Sequence, residues 1–283
     1  MSRATAPATP VTTRNARFQQ WAALLANRSK RARSGAFLIH GVRPITLAVE
    51  RGWPIESMLH ASTSRRSSWA TSTLTAVDAP HFALADELLR ELGGKDDETP
   101  ELVAVARVLP DDLGRIDLGG EAPLLVVFDR PTSPGNLGTL VRSADAFGAR
   151  GVVVTGHAAD IYDPRTVRAT TGSLFTLPVV HAGSAQDVLT WLHEDGAEMR
   201  IVGTDESGRT RVDRQDLRGP RVVVVGNETT GMSAAWRAAC SDVVSIPIGG
   251  GASSLNAASA ATVVLYEAAR QRGFPFLGGS GGQ

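Results

Sequence analysis

Cysteine, lysine and early acidic residues are what this 283-residue chain has least of. Cys240 is the only cysteine, which excludes an intrachain disulfide and a cysteine-based zinc site. No apolar run approaches the roughly 20 residues that a membrane helix needs. The opening MSRATAPATPVTTRNAR carries no apolar stretch of the kind found in secretory signals, so the expected location is the cytoplasm, with no membrane association. Of 29 basic residues only Lys30 and Lys95 are lysines. Arginine grips phosphate with two parallel hydrogen bonds and stacks on bases, which lysine does not. Residues 1–49 hold Arg3, Arg14, Arg17, Arg28, Lys30, Arg31, Arg33 and Arg43 and no acid, so this segment is +8 in a chain of net charge zero. A coding bias explains arginine over lysine but leaves the missing acids unexplained. A polyanion-binding arm is expected, nucleic acid being the simplest partner.

What is present is strand–helix alternation in two blocks. Residues 1–12 are rich in Ala, Thr and Pro and are expected to be disordered. Phe18, Trp21, Leu24 and Leu25 recur at helical spacing and predict a helix over 13–26, followed by a polar break at 27–34. Strands at 36–40, 55–60 and 102–108 alternate with helices starting at Arg43–Pro44 and covering 64–74 and 85–92. Beyond an aperiodic Gly-, Pro- and Asp-rich stretch, strands are predicted at 124–128, 151–155, 175–180, 199–204, 221–226 and 243–248. Helices are predicted at 136–147, 164–171, 185–195 and 233–239. Runs such as LLVVF and VVVV lack two-residue alternation, so their strands belong in a mostly parallel sheet covered on both faces. The expected division is a basic arm and helix (1–29), a small α/β domain (30–108), a linker (109–122), a larger α/β domain (123–272) and a disordered tail (273–283).

Three turns that follow strands carry the chemistry, since ligands of parallel sheets bind outside the carboxyl ends of the strands. The first, DRPTSPGNLGTLVRSADAFG, puts Asn136 at the expected helix N-cap with Arg142 further along. The second is GNETTG, with Gly226, Asn227, Glu228 and Gly231. The third, IPIGGGASSLNAASAATVVLYEAAR, runs from Ile246 through a loop without Cβ atoms to Ser253, Ser254, Leu255 and Asn256, which open an apolar helix. Alone, each has an ordinary explanation as a cap, a dipole partner or a surface charge. His157, Asp160, Tyr162, Asp163 and Arg165 form a further polar loop that suits either RNA contact or plain solvation. Cys240 sits in apolar surroundings and reads as a core residue.

Together, NLGTLVRSADAFGA, GNETTGMS and SIPIGGGASSLNAASAATVVLYEA resemble, in order and spacing, the three signature motifs of the SpoU family of knotted RNA ribose methyltransferases. RNARFQQW, FDRPTSPGN, GHAADIYDP and TGSLF look like that family's avilamycin-resistance type, which methylates a uridine ribose in 23S ribosomal RNA. The resemblance implies an N-terminal ribosomal-protein-like (L30e-like) α/β domain that binds the RNA substrate (30–108) and a C-terminal α/β knot (deep trefoil) domain with a mostly parallel sheet. It implies S-adenosylmethionine held by Gly226, Ile246 and Leu255, with Thr204, Asn227 and Gly231 beside them, release of S-adenosylhomocysteine, and no metal. It also implies a homodimer through the knotted domain, 23S ribosomal RNA as partner and ribosome-targeting antibiotic resistance as one consequence. By the same resemblance Asn136, Ser254 and Asn256 hydrogen-bond the nucleotide and nearby backbone, and Glu228 orients them. Arg142 is either a base perturbed by a phosphate or a clamp on that phosphate. Arg14, Arg17, Arg28, Lys30, Arg31, Arg33 and Arg43 are the expected RNA contacts. The rival readings are the same reaction on transfer RNA and a non-catalytic RNA-binding protein of the same fold.

Overall fold

The computed structural model describes residues 8–274 except 64, 94–98, 195, 197 and 252–253. In chain order its elements are β1 (Thr9–Val11), α1 (Ala16–Ala26), α2 (Arg28–Ser34), β2 (Ala36–His40), α3 (Val42–Glu50), β3 (Ile55–Ala61), α4 (Ser68–Ala76), β4 (His81–Leu84), α5 (Asp86–Gly93) and β5 (Leu102–Arg107). There follow β6 (Leu124–Asp129), α6 (Pro134–Ala146), β7 (Gly151–Thr155), α7 (Pro164–Thr170), β8 (Val179–Ala182), α8 (Ala185–Glu194), β9 (Arg200–Thr204), β10 (Thr210–Arg211), β11 (Arg221–Val225), α9 (Ala234–Ala239), β12 (Asp242–Ser245) and α10 (Ala257–Gln271). They divide into two compact units, Met1–Leu109 with Tyr162–Thr176, and Pro110–Ile161 with Leu177–Gln283.

The first unit is a mixed sheet in the order β1-β4-β3-β5-β2. β1, β4 and β3 run parallel, and β5 is antiparallel to β3 and β2. Asn15 starts α1 by accepting the Phe18 amide at 3.0 Å, and Phe18, Trp21 and Leu24 are buried against the sheet. Two stretches depart from the sequence reading. Thr9–Val11, expected to be disordered, adds an edge strand to β4 because Val11 enters the core. The polar break at 27–34 is the helix α2, capped by the Asn27 side chain and ended by Gly35 in the left-handed region at φ 62°.

Tyr162–Thr176 completes this unit's core, so the 123–272 span drawn from the sequence is interrupted. Its Tyr162 and Phe175 rings pack on Phe37, with centroids 4.7 and 6.5 Å away, and Phe175 meets Trp53 edge-on at 5.1 Å. Asp163 faces the buried Arg31 at 3.8 Å, and the Tyr162 hydroxyl accepts the Leu109 amide at 3.3 Å.

The second unit is an all-parallel sheet in the order β10-β12-β9-β11-β6-β7-β8. Every residue of β6, β7 and β11 is buried, as the continuous Val and Leu runs require. Register pairs Val225 with both Phe128 and Thr204, so β6, β9 and β11 end together. The loops carrying the sequence motifs therefore leave the sheet at one edge. α10 packs its buried Ala261, Val264, Leu265 and Ala268 inward, and its Thr262 hydroxyl meets Ser143 of α6 at 2.7 Å. The tail expectation lies almost wholly outside the described residues, as does Ser253.

Candidate active site

Ser133, not Asn136, caps α6, accepting the Asn136 amide at 3.3 Å, and Pro134 occupies the first turn. This corrects the expected cap and has a chemical consequence: the Asn136 side chain is released from capping. Its Nδ2 donates to Glu228 Oε1 at 3.1 Å. The same carboxylate accepts the Ser133 amide at 3.1 Å, the Thr132 amide at 3.0 Å and the Thr132 hydroxyl at 3.1 Å. Burial alone would raise the Glu228 carboxyl, but these donors and its own backbone outweigh burial and hold it below the ordinary value. Glu228 is therefore an anion at neutral pH whose oxygens are already occupied, an anchor and not a free base.

A carboxylate only accepts, so the Asn136 amide nitrogen must face Glu228 and its carbonyl must face the other way. There Asn256 Nδ2 donates to Asn136 Oδ1 at 2.9 Å. With its nitrogen so used, Asn256 offers its oxygen to the amides of Ala258 and Ser259 at 3.0 and 3.3 Å, capping α10. One ionised side chain thus fixes the polarity of two amides and the start of the C-terminal helix. Asn136 Oδ1 keeps a second lone pair for a ligand hydroxyl.

Beside this chain lies a cavity of about 520 Å³, a size that suits a nucleoside-scale ligand. Gly226, Ile246 and Leu255 line it, as do Thr204, Asn227 and Gly231, so all six candidate ligand residues converge. Ile246, Ile248 and Leu255 give it an apolar wall for a flat ring, and Asp205 and Glu206 give it hydroxyl or ammonium acceptors. Gly226 is required: a Cβ there would collide with the backbone of Gly231 and Met232. Ser254 is exposed at the cavity edge.

Arg142 is not brought into the Asn136–Glu228–Asn256 cluster. Six residues along α6, it lies about 9 Å further up and roughly 120° around the axis. It is exposed and has no hydrogen-bond or ion-pair partner among the described residues. The basic residues of the first unit divide. Arg28, Lys30, Arg33 and Arg43 are exposed. Arg31, expected on RNA, is 3% exposed and donates to the Leu24 carbonyl at 2.6 Å, so it is a structural residue. Arg14 is paired with Glu91 at 2.7 Å, and Arg17 lies over the Phe82 ring at 4.8 Å. Tyr162 is buried in the Phe37 cluster, which removes it as an RNA contact. Cys240, expected in the core, is only half-buried against it, and burial pushes its thiol up to about 11, which leaves it inert. Asp129 and Arg130 open the first motif without any local signal of a role, and in the structure they tie the first two turns together.

Among the described residues no group of three or more His, Cys, Asp or Glu could hold a metal ion, and no helix is long and apolar enough to cross a membrane.

A parallel α/β sheet with a polar amide chain and a nucleoside-sized cavity at the carboxyl ends of its strands has the build of an enzyme that binds a nucleoside-type ligand. The pattern of the SpoU L30e-like domain matches residues 15–104, and that of the SpoU rRNA Methylase family matches residues 123–266. The chain belongs to the SpoU rRNA methylase family. It is 52% identical over 279 residues to the 23S rRNA (uridine(2479)-2′-O)-methyltransferase of Streptomyces viridochromogenes, covering 96% of this chain and 97% of that protein. It is similar to the crystal structure of the SpoU methyltransferase AviRb from the same organism in complex with AdoMet, with TM-score 0.87, 53% identity and coverage of 92% and 98%. An AdoMet-bound rRNA methyltransferase from Sinorhizobium meliloti is similar at TM-score 0.83 and 26% identity, with coverage of 93% and 98%.

Proposed function

We propose that this protein transfers the methyl group of S-adenosylmethionine to the 2′-hydroxyl of a uridine in 23S ribosomal RNA, releasing S-adenosylhomocysteine. The carrying observation is the Glu228–Asn136–Asn256 chain at the mouth of the cavity, in a protein 52% identical along nearly its whole length to an enzyme of that activity. The cavity's size and mixed lining support S-adenosylmethionine as its ligand, held through Gly226, Ile246 and Leu255 with Thr204, Asn227 and Gly231 alongside. When bound, that molecule supplies an electrophilic methyl group. A ribose hydroxyl is a weak nucleophile, so the protein must orient it in line and stabilise charge as the oxygen reacts. The spare lone pair of Asn136 Oδ1 suits the first task, with Ser254 and Asn256 beside it. Arg142, exposed and unengaged, suits a clamp on the adjoining phosphate better than a base, because a guanidinium does not give up its proton in proteins.

Arg28, Lys30, Arg33 and Arg43 serve as the first unit's RNA contacts in this reading. A second copy of the chain covers α10, where Val263 and Tyr266 are 38% and 49% exposed and Phe147 meets Tyr266 edge-on at 5.9 Å. The C-terminal helix threads a preceding loop as a trefoil knot, a reading supported by the family.

The test is transfer of labelled methyl to naked 23S ribosomal RNA and to bulk transfer RNA, with primer extension at low nucleotide concentration to find the stop. A single ribosomal stop at a uridine is the expected result. Label in transfer RNA alone, or none despite measurable cofactor binding, would overturn the substrate assignment.

A further inference from the structure

Arg130 has a backbone that a side-chain-bearing residue seldom adopts. Its φ is 54°, in the left-handed region where glycine is the usual occupant. Such strain persists only where the surroundings impose it, and here they do. The Arg130 amide donates to the Thr155 carbonyl at 3.0 Å, and its carbonyl accepts Asn227 Nδ2 at 2.6 Å. Its guanidinium spans two partners: Nε donates to Asp129 Oδ2 at 3.2 Å, and the terminal nitrogen donates to the Gly231 carbonyl at 3.0 Å.

Asp129 is 2% exposed and anchored in turn. It accepts the Thr155 hydroxyl at 3.0 Å and the Ser233 amide at 2.7 Å, and the Trp236 indole donates to that Thr155 hydroxyl at 3.2 Å. On the other side, Asn227 and Gly231 exchange both backbone bonds, at 3.1 and 3.0 Å, closing the turn that carries Glu228. Asn227 Oδ1 also accepts the Thr229 and Thr230 amides at 2.9 Å each. Arg130 joins the buried Asp129 to the Gly231 carbonyl, alongside the bond of Asp129 to the Ser233 amide and the bond of the Thr132 hydroxyl to Glu228.

We infer that Arg130 is a positioning residue: by bridging Asp129 and the Gly231 carbonyl it fixes the turn bearing Glu228, and through Glu228 it sets the placement of Asn136 and Asn256. The inference rests on the methyl-transfer reading of the site only for its effect on turnover. The guanidinium fork matters because one nitrogen must reach a carboxylate while another reaches a carbonyl on a different loop, which an ammonium cannot reproduce.

The test compares Arg130→Gly and Arg130→Lys with the parent protein. Arg130→Gly removes the fork while relieving the backbone strain, so it separates the contacts from the conformation. Three quantities are read: hydrogen exchange at the amides of Asn227, Thr229, Thr230 and Gly231, affinity for S-adenosylmethionine by calorimetry, and single-turnover methyl transfer. Arg130→Gly is expected to lose protection in that turn, to bind cofactor several-fold more weakly and to transfer methyl about tenfold or more slowly, as small misplacements do. Methylguanidinium added at millimolar concentration is expected to restore part of the rate. Arg130→Lys is expected to fall between the two. Turn amides that stay protected in a folded Arg130→Gly variant would overturn the inference whatever the protein methylates. If the glycine variant does not fold, a lysine variant with parental exchange and turnover would overturn it. Failure of the parent to methylate RNA would count against the proposed function alone, because the exchange comparison needs no substrate.

Discussion

Asn136 and Asn256 lie 120 residues apart in the chain and share a 2.9 Å hydrogen bond whose direction is dictated by a third residue, Glu228. Asn136→Asp keeps the shape but places a carboxylate 3.1 Å from Glu228, where two negative charges cannot both be held. Methyl transfer is expected to fall about a hundredfold, the scale of loss when reacting groups are misplaced. Asn136→Ala removes the amide without adding charge and should cost turnover while unfolding nearer the parent temperature. Single-turnover rates and thermal unfolding distinguish the two, and an aspartate variant with parental activity would break the orientation argument.

Arg142 separates cofactor affinity from chemistry. It lies away from the cavity lining and has no partner among the described residues. Arg142→Ala is therefore expected to lose about a hundredfold or more in kcat, the size of effect for a lost charge stabiliser, with S-adenosylmethionine affinity within about twofold of the parent. Calorimetry and rate measurements on the same preparation check it; parallel loss of affinity and rate would place Arg142 in the cofactor site instead.

Gly226 tests the cavity floor. A methyl group there would strike the Gly231 and Met232 backbone, which cannot retreat because Gly231 is tied to Asn227 in both directions and to Arg130. Gly226→Ala is expected to destabilise the protein by about 3 kcal/mol and to abolish measurable cofactor binding. Denaturant unfolding with and without S-adenosylmethionine reads both effects.

Acid stability follows from His40. Burial pushes its imidazole down to about 4, against a raising contribution from the Leu92 carbonyl and a further lowering by Arg168. Between pH 6.5 and 4 the unfolded chain binds a proton that the folded chain refuses, so stability falls as pH drops through that window. The loss is up to about 3 kcal/mol at 1.36 kcal/mol per pH unit. His60 and His81 are also lowered by burial and act in the same direction. His40→Gln keeps a donor for Leu92 and is expected to flatten the stability profile from pH 6.5 to 4, measured by urea unfolding at each pH.

The alternating architecture, the buried parallel strands and the three motif turns were legible because each is written locally, in apolar runs and turn residues. The motifs single out Asn136, Glu228 and Asn256, which the fold joins by hydrogen bonds, but the cap of α6 falls to Ser133, three residues before the expected Asn136. α2 was missed because its residues show no apolar periodicity; Asn27 and Gly35 at its ends make it, and Arg31 is buried by partners far away in sequence. Arg130 was invisible for a related reason. Its guanidinium reaches a carbonyl on a turn 101 residues away, and its left-handed backbone leaves no mark in the residue type.

Tyr162–Thr176 shows the same limit at the scale of a domain. GHAADIYDPRTVRATTGSLF reads as an ordinary strand-to-strand connection, and nothing local says which core receives Tyr162 and Phe175. The structure gives both rings to Phe37, and the Tyr162 hydroxyl to the Leu109 amide. Tyr162→Phe keeps the ring and removes the hydroxyl with its bond to Leu109, and is expected to cost about 1 kcal/mol. Tyr162→Ala leaves a ring-sized hole beside Phe37 and is expected to cost about 3 kcal/mol or more, since Tyr162 is 7% exposed. The two variants differ by the ring alone, so urea unfolding of both measures how far the first unit depends on a segment that arrives from the middle of the second. Equal stability of the two would show that the ring does not support that core.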